Sequence, residues 1–135
     1  MHLDVNWLAI VLALVASMAL GMVWYKGLAK YWIKATGKSE KELMIGRSSK
    51  PFIWAALAQF IMAIFIAQLT TMLFDGNVDV KNTVHTGMLM WFGFILTSMV
   101  LNHRYQNMSW KLTLIDGGYL LGVVIAQGII IGIFV

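Results

Sequence analysis

Residues 7–34 read Trp-Leu-Ala-Ile-Val-Leu-Ala-Leu-Val-Ala-Ser-Met-Ala-Leu-Gly-Met-Val-Trp-Tyr-Lys-Gly-Leu-Ala-Lys-Tyr-Trp-Ile-Lys. No charge interrupts the 19 residues from Trp7 to Tyr25. As an α-helix at 1.5 Å per residue this run spans roughly 28 Å, close to the hydrocarbon thickness of a bilayer. It predicts a first transmembrane helix, with Trp24 and Tyr25 at the membrane interface and lysines beginning at Lys26. Ala9, Ala13, Ser17 and Gly21 recur every four positions, forming a narrow ridge on which a second helix can pack closely.

The rest of the chain agrees with this reading. Of its 135 residues, 60% are hydrophobic and 12% charged, against about 25% charged in soluble domains. One membrane domain is expected, because spanning segments consume most of the length. There is no cysteine, which excludes disulfides, thiolate metal ligands and a cysteine nucleophile. The lysines and arginines cluster between apolar runs, which suits an anionic lipid surface and argues against a nucleic-acid-binding face. No basic residue precedes the first run, so it lacks the start of a cleaved signal peptide and is expected to remain as an anchor.

Beyond Tyr25, Lys26, Lys30, Lys34 and Lys38 are spaced by four, with Leu28, Tyr31, Trp32 and Ala35 on the other side of the wheel. This predicts an amphipathic extension of the first helix along the interface, ending at Gly37. Ser39 and Glu42 form a capping-box pattern for a short helix ended by Gly46. Further apolar spans are predicted at 52–74, 84–101 and 112–135, separated by a polar turn at 75–82 and a short connector through Lys111. The predicted fold is therefore all-α: a four-helix transmembrane bundle with an amphipathic helical connector between spans one and two. Nine of the ten lysines and arginines lie in the first and third connectors, and only Lys81 lies in the second. The positive-inside rule then places both connectors in the cytoplasm and both termini outside it. Spans one and three show no convincing internal repeat.

Three stretches carry a family resemblance: Asn6-Trp7-Leu8-Ala9, Gly21-Met22-Val23-Trp24-Tyr25 and Lys111-Leu112-Thr113-Leu114-Ile115-Asp116-Gly117-Gly118-Tyr119. In order and spacing the chain resembles a family of small bacterial four-span membrane proteins known as a domain of unknown function. The resemblance implies a bacterial inner-membrane four-helix protein and no biochemical role. Two departures stand out. The family pattern leads to a proline-containing turn after the Trp-Tyr pair, where Lys26-Gly27-Leu28 allows the helix to continue, and to asparagine as often as aspartate at position 116.

Asp116 is the sole carboxylate inside a predicted span. Intramembrane carboxylates cost roughly 2.5 to 3.5 kcal/mol at a helix centre, which points to function, but Asp116 lies near the basic end where water, Arg104, Lys111 or Lys26 can reach it. A structural partner is the favoured reading, a proton or ion site the alternative. Its neighbours at the same depth, Trp24, Tyr25, Asn102, His103, Arg104 and Tyr119, make up a candidate polar cluster. Gln127, on the face of Asp116, extends a candidate path toward the other end. Gln59 and Gln68, nine residues apart, fall on opposite faces of the helix and are expected to bond to neighbouring helices rather than to line one pore. Lys26, Lys30, Lys34 and Trp32 are the candidate lipid-headgroup contacts.

Other patterns carry less. Thr36-Gly37-Lys38-Ser39 lacks the glycine a phosphate loop needs at Trp32. His2, Asp4, Asp75, Asp79 and His85 share one rim without metal-ligand spacing, so no metal is expected. His85 and His103 lie near opposite faces, so no serine-histidine-acid set can form and no enzyme or cofactor is expected. The small-residue ridge of span one and the Gly118/Gly122 and Gly128/Gly132 pairs of span four predict a homo-oligomer seam. The expected function is a non-enzymatic structural or interaction protein binding anionic lipid or a protein partner. The alternative is an oligomeric transporter or channel.

Overall fold

Residues 5–134 are described by a computed structural model; His2, Asp4 and Val135 lie outside them. The elements in chain order are α1 (Trp7–Gly27), α2 (Ala29–Thr36), α3 (Glu40–Met44), α4 (Lys50–Leu73), α5 (Val80–Tyr105) and α6 (Trp110–Ile133). The described residues contain no strand, and α1, α4, α5 and α6 are each long and apolar enough to cross a membrane. The chain is a multi-pass membrane protein in architecture, as the apolar runs predict.

Local chemistry sets most boundaries. Asn6 caps α1, its side chain accepting from Leu8 N at 3.1 Å and Ala9 N at 3.3 Å, which satisfies two of the free amides at the helix start. Gly37 ends α2 at φ 73°, a left-handed conformation that glycine adopts without a Cβ clash. Ser39 and Glu42 form the reciprocal capping box of α3, and Pro51 sits in the first turn of α4, where its missing amide costs nothing.

Two boundaries differ from the sequence expectation. The lysine-bearing segment does not continue α1. Leu28 leaves helical geometry at φ −108°, ψ 14°, its N–H still donating to Trp24 O while its own carbonyl receives Trp32 N. One helix ends and another starts on the same residue, because Gly27 contributes no side chain to hold the turn. The third span starts four residues before 84, with Asp79 accepting from Asn82 N at 2.8 Å, and runs on to Tyr105.

Within α5, Trp91–Leu96 widens into a π-helical turn. On either side of it α5 keeps meeting α6, through Thr83, Gly87 and Trp91, four apart, and then through Ile95 and Leu96. The inserted residue keeps both halves of a long helix facing the same partner.

α6 is the hub. α1, α4 and α5 all pack on it, α2 touches its first turns, and α4 also contacts α1 and α5. The half of the bundle remote from the lysines is filled by Ile10, Ala13, Ile66, Ala67, Val124 and Ile131. The small-residue stripes, expected as an oligomer seam, are consumed inside the chain. Ala9, Ala13 and Ser17 are buried. A Cβ on Gly21 would sit 2.7 Å from Tyr119 Oη.

The two glycine pairs of α6 do different work. Gly118 and Gly122 admit side chains of α1, with hypothetical Cβ atoms 3.1 Å from Trp24 and 2.9 Å from Leu20. Gly128 and Gly132 instead admit the backbone of α5: a Cβ on Gly128 would meet Val84 Cα at 3.0 Å, and one on Gly132 would collide with Val80 Cα. Lipid chains are as apolar as the side chains they would replace, so such close approach is a principal source of helix association.

A ranking follows from which atoms must move. Gly128→Ala and Gly132→Ala should each destabilise by about 1–3 kcal/mol, the usual cost of overpacking, whereas Gly122→Ala meets only a rotatable leucine end and should cost far less. Thermal unfolding in mild detergent reads the order directly, and equal melting temperatures for the three variants would contradict the backbone contact.

Candidate functional site

Ser109 starts α6 by accepting from Leu112 N at 3.2 Å. This places Asp116 two turns into the helix, at the basic end of the bundle and partly exposed. Its partner is Tyr25, at the other end of the sequence separation, whose hydroxyl donates to Oδ1 at 2.7 Å. Arg104, Lys111 and Lys26, the expected cationic partners, form no ion pair with it among the described residues. α1 brings the phenol to the carboxylate because its last turn packs antiparallel to the first turns of α6.

The backbone around Asp116 is held from two sides. Trp24 Nε1 of α1 donates to Ile115 O at 3.1 Å, and Trp91 Nε1 of α5 donates to Gly117 O at 2.9 Å. An indole N–H buried in an apolar bundle needs an acceptor, and a helix carbonyl has a second lone pair to offer. Gly118 leaves room for the Trp24 ring. Trp91, absent from the sequence candidates, reaches α6 just where α5 widens into its π turn.

From Tyr25 an aromatic and amide seam runs inward. Its ring meets Tyr119 edge-on at 5.1 Å and Trp32 at 6.1 Å. The Tyr119 hydroxyl accepts from Gln59 Nε2 at 2.7 Å. Gln127, 0% exposed, donates to Ser17 Oγ at 3.2 Å and to Gln59 O at 2.9 Å. The seam thus joins α1, α4 and α6. Gln59 Oε1 and Gln127 Oε1 end it as buried oxygens with no partner. Beyond them lie the aliphatic core and, within it, the buried Thr70–Thr86 pair. Gln68, on the opposite face of α4 from Gln59, is also buried.

The cluster expected at the basic end divides in two. His103 Nδ1 lies 2.7 Å from Thr113 Oγ1, and Arg104 Nη2 donates to the same hydroxyl at 2.9 Å and to Ser109 O at 3.3 Å. The Arg104 guanidinium also sits 3.6 Å over the Trp110 ring. Both side chains therefore meet α6 about one turn before Asp116, on Thr113 and not on the carboxylate, although three residues advance a helix by about 300° and leave the two positions only about 60° apart. Asn102 is exposed and joins neither group. Thr113 and Ser109 gave no signal in sequence, because a hydroxyl near a helix start has ordinary local uses.

A cleft of about 530 Å³ opens beside Tyr25, bounded by Trp32 of α2 and by Glu40, Met44 and Arg47 around α3. Among the described residues no group of three or more histidine and acidic side chains converges as for a metal ion.

A family profile described as protein of unknown function, DUF1761, matches residues 8–132. The match covers nearly the whole chain, and the chain belongs to that family. No curated protein and no solved structure matches it.

The Tyr25–Asp116 bond gives a direct test. Tyr25→Phe removes the one side-chain donor to a partly buried carboxylate and should lower stability by about 1.5–3 kcal/mol if the carboxylate is charged. Combining it with Asp116→Asn should cost less than the two single changes together. Additive melting shifts across this double-mutant cycle would show that the pair is not coupled.

Proposed function

We propose that this DUF1761 protein is a non-enzymatic, membrane-embedded structural or interaction protein whose basic, aromatic end engages anionic lipid. The observation that carries this reading is how the polar groups divide. Inside the bundle they are committed to one another, in Tyr25–Asp116, Gln59–Tyr119, Gln127–Ser17 and the buried Thr70–Thr86 pair. Lys26, Lys30 and Lys34 remain exposed on α1 and α2, while Ala35 and, in part, Trp32 turn inward. Such a strip, at the depth where the apolar helices end, suits phosphate headgroups at about 1 kcal/mol per lysine.

The same charge asymmetry supports an orientation with the basic connectors in the cytoplasm and both termini outside, in a bacterial inner membrane. Homo-oligomerisation stands as a proposal without the small-residue ridges, and native mass measurement showing monomer alone would end it.

A second reading, transport, rests on the seam from Asp116 to the unpartnered Gln59 Oε1 and Gln127 Oε1. Purified protein in liposomes should then carry protons, ions or a small solute above empty vesicles, and absence of such flux removes it.

Lipid binding is tested by Lys26→Gln, Lys30→Gln and Lys34→Gln combined, which should sharply reduce co-purified anionic phospholipid; unchanged recovery would refute the reading. Because the chain has no cysteine, orientation can be read with Ser48→Cys and Asn77→Cys. An impermeant maleimide added to intact spheroplasts should label position 77 and spare position 48, and the reverse pattern would invert the topology.

A further inference from the structure

A second cavity at the basic end, a groove of about 640 Å³, runs between α2 and the start of α6. Lys34 of α2 and Lys111 of α6 border it, with Tyr31 beside them and Leu28, Leu114 and Ile115 forming an apolar floor. The two lysines come from connectors 77 residues apart in the chain. What holds them over one groove is the bond from Ser109 Oγ to Ala35 O, at 2.7 Å, which ties the end of α2 to the start of α6. The groove opens outward from the bundle: Leu114 is 76% exposed and Tyr31 64%. Arg104 is the nearby cation that does not serve it, being committed to Thr113, Ser109 O and the Trp110 ring.

We infer that this groove is a discrete binding site for one anionic phospholipid, its phosphate held between Lys34 and Lys111 and an acyl chain lying along Leu28, Ile115 and Leu114. The inference rests on the lipid-binding reading above and narrows it from a charged surface to a site. Charge complementarity selects the anion, since no acidic side chain borders the groove. The apolar floor selects a lipid over a free phosphate, which would leave that floor exposed to no purpose. The floor runs on to Leu114, which on a membrane-spanning helix faces the hydrocarbon, so headgroup and chain both meet their preferred surroundings. Tyr31 adds a hydroxyl at headgroup depth, a position that amphipathic rings favour.

The full-length protein in mild detergent is titrated with phosphatidylglycerol, phosphatidylcholine or glycerol 3-phosphate, and retained adducts are counted by native mass spectrometry. Wild type should hold one phosphatidylglycerol in preference to phosphatidylcholine. Lys34→Gln with Lys111→Gln should weaken that adduct about twenty-five-fold, each lysine contributing about fivefold, and Lys34→Arg with Lys111→Arg should retain it. Lys26→Gln with Lys30→Gln, outside the groove, should leave this adduct in place. All four lysines are exposed, and retention of the weaker phosphatidylcholine adduct reports that the groove is still folded. Equal retention by the Lys34/Lys111 glutamine variant overturns the site. So does competition by glycerol 3-phosphate at matched concentration, which would mark a free-anion site. If the anionic preference is lost only with Lys26 and Lys30, the groove falls while the broader lipid reading survives; if wild type shows no anionic preference, both fall.

Discussion

The structure depends on how closely other helices can approach α6. In water, burying leucine and isoleucine holds helices together, but lipid offers those side chains an equally apolar surrounding. What remains is dispersion at short range and hydrogen bonds that have no water to compete with them. α6 supplies both. Gly128 and Gly132 bring the backbone of α5 to contact distance, and the Thr83 hydroxyl donates across that contact to Gly128 O. Gly118 and Gly122 take Trp24 and Leu20 of α1 at the other end. The hub is thus narrow where it must meet backbone and notched where it must meet side chains.

Polar groups occupy what that packing leaves. Two indoles, from α1 and α5, donate to the carbonyls on either side of Asp116, and Tyr25 donates to the carboxylate itself. The consequence is positional: three helices are pinned at one level of the bundle, near its basic end. Further in, Gln59 and Gln127 link α4, α6 and α1, and beyond them the aliphatic core encloses the Thr70–Thr86 pair and the Thr83 bond to Gly128 O. Both the lipid and the transport readings place their chemistry toward the basic end.

The break at Leu28 matters for the same end. α2 begins one residue beyond α1 and packs on the first turns of α6, where Ala35 meets Ser109 and Lys34 comes beside Lys111. A single hydrogen bond between a helix end and a helix start thereby joins two connectors into one basic surface.

Several features were legible in the chain itself because they depend on residues close together in sequence. Span number and approximate limits follow from uncharged length, the end of α2 from Gly37, the cap of α3 from Ser39 and Glu42, and the charge asymmetry from counting. The importance of small residues was also readable, but not their use: a helical wheel shows that Gly118 and Gly128 form ridges, not which neighbour they receive. Likewise Asp116 announced itself as an intramembrane carboxylate, while its bond to Tyr25, 91 positions away, depends on how two helices are rotated and staggered against each other. The π turn at Trp91–Leu96 has the same origin, since it corrects the register of α5 against α6 and has no signature within α5. Sequence by itself determined which segments are long and apolar enough to cross a membrane and where most of them stop, because those are one-helix properties. Tertiary structure alone decided which faces met, because rotation and stagger are set by contacts between helices that no single stretch contains.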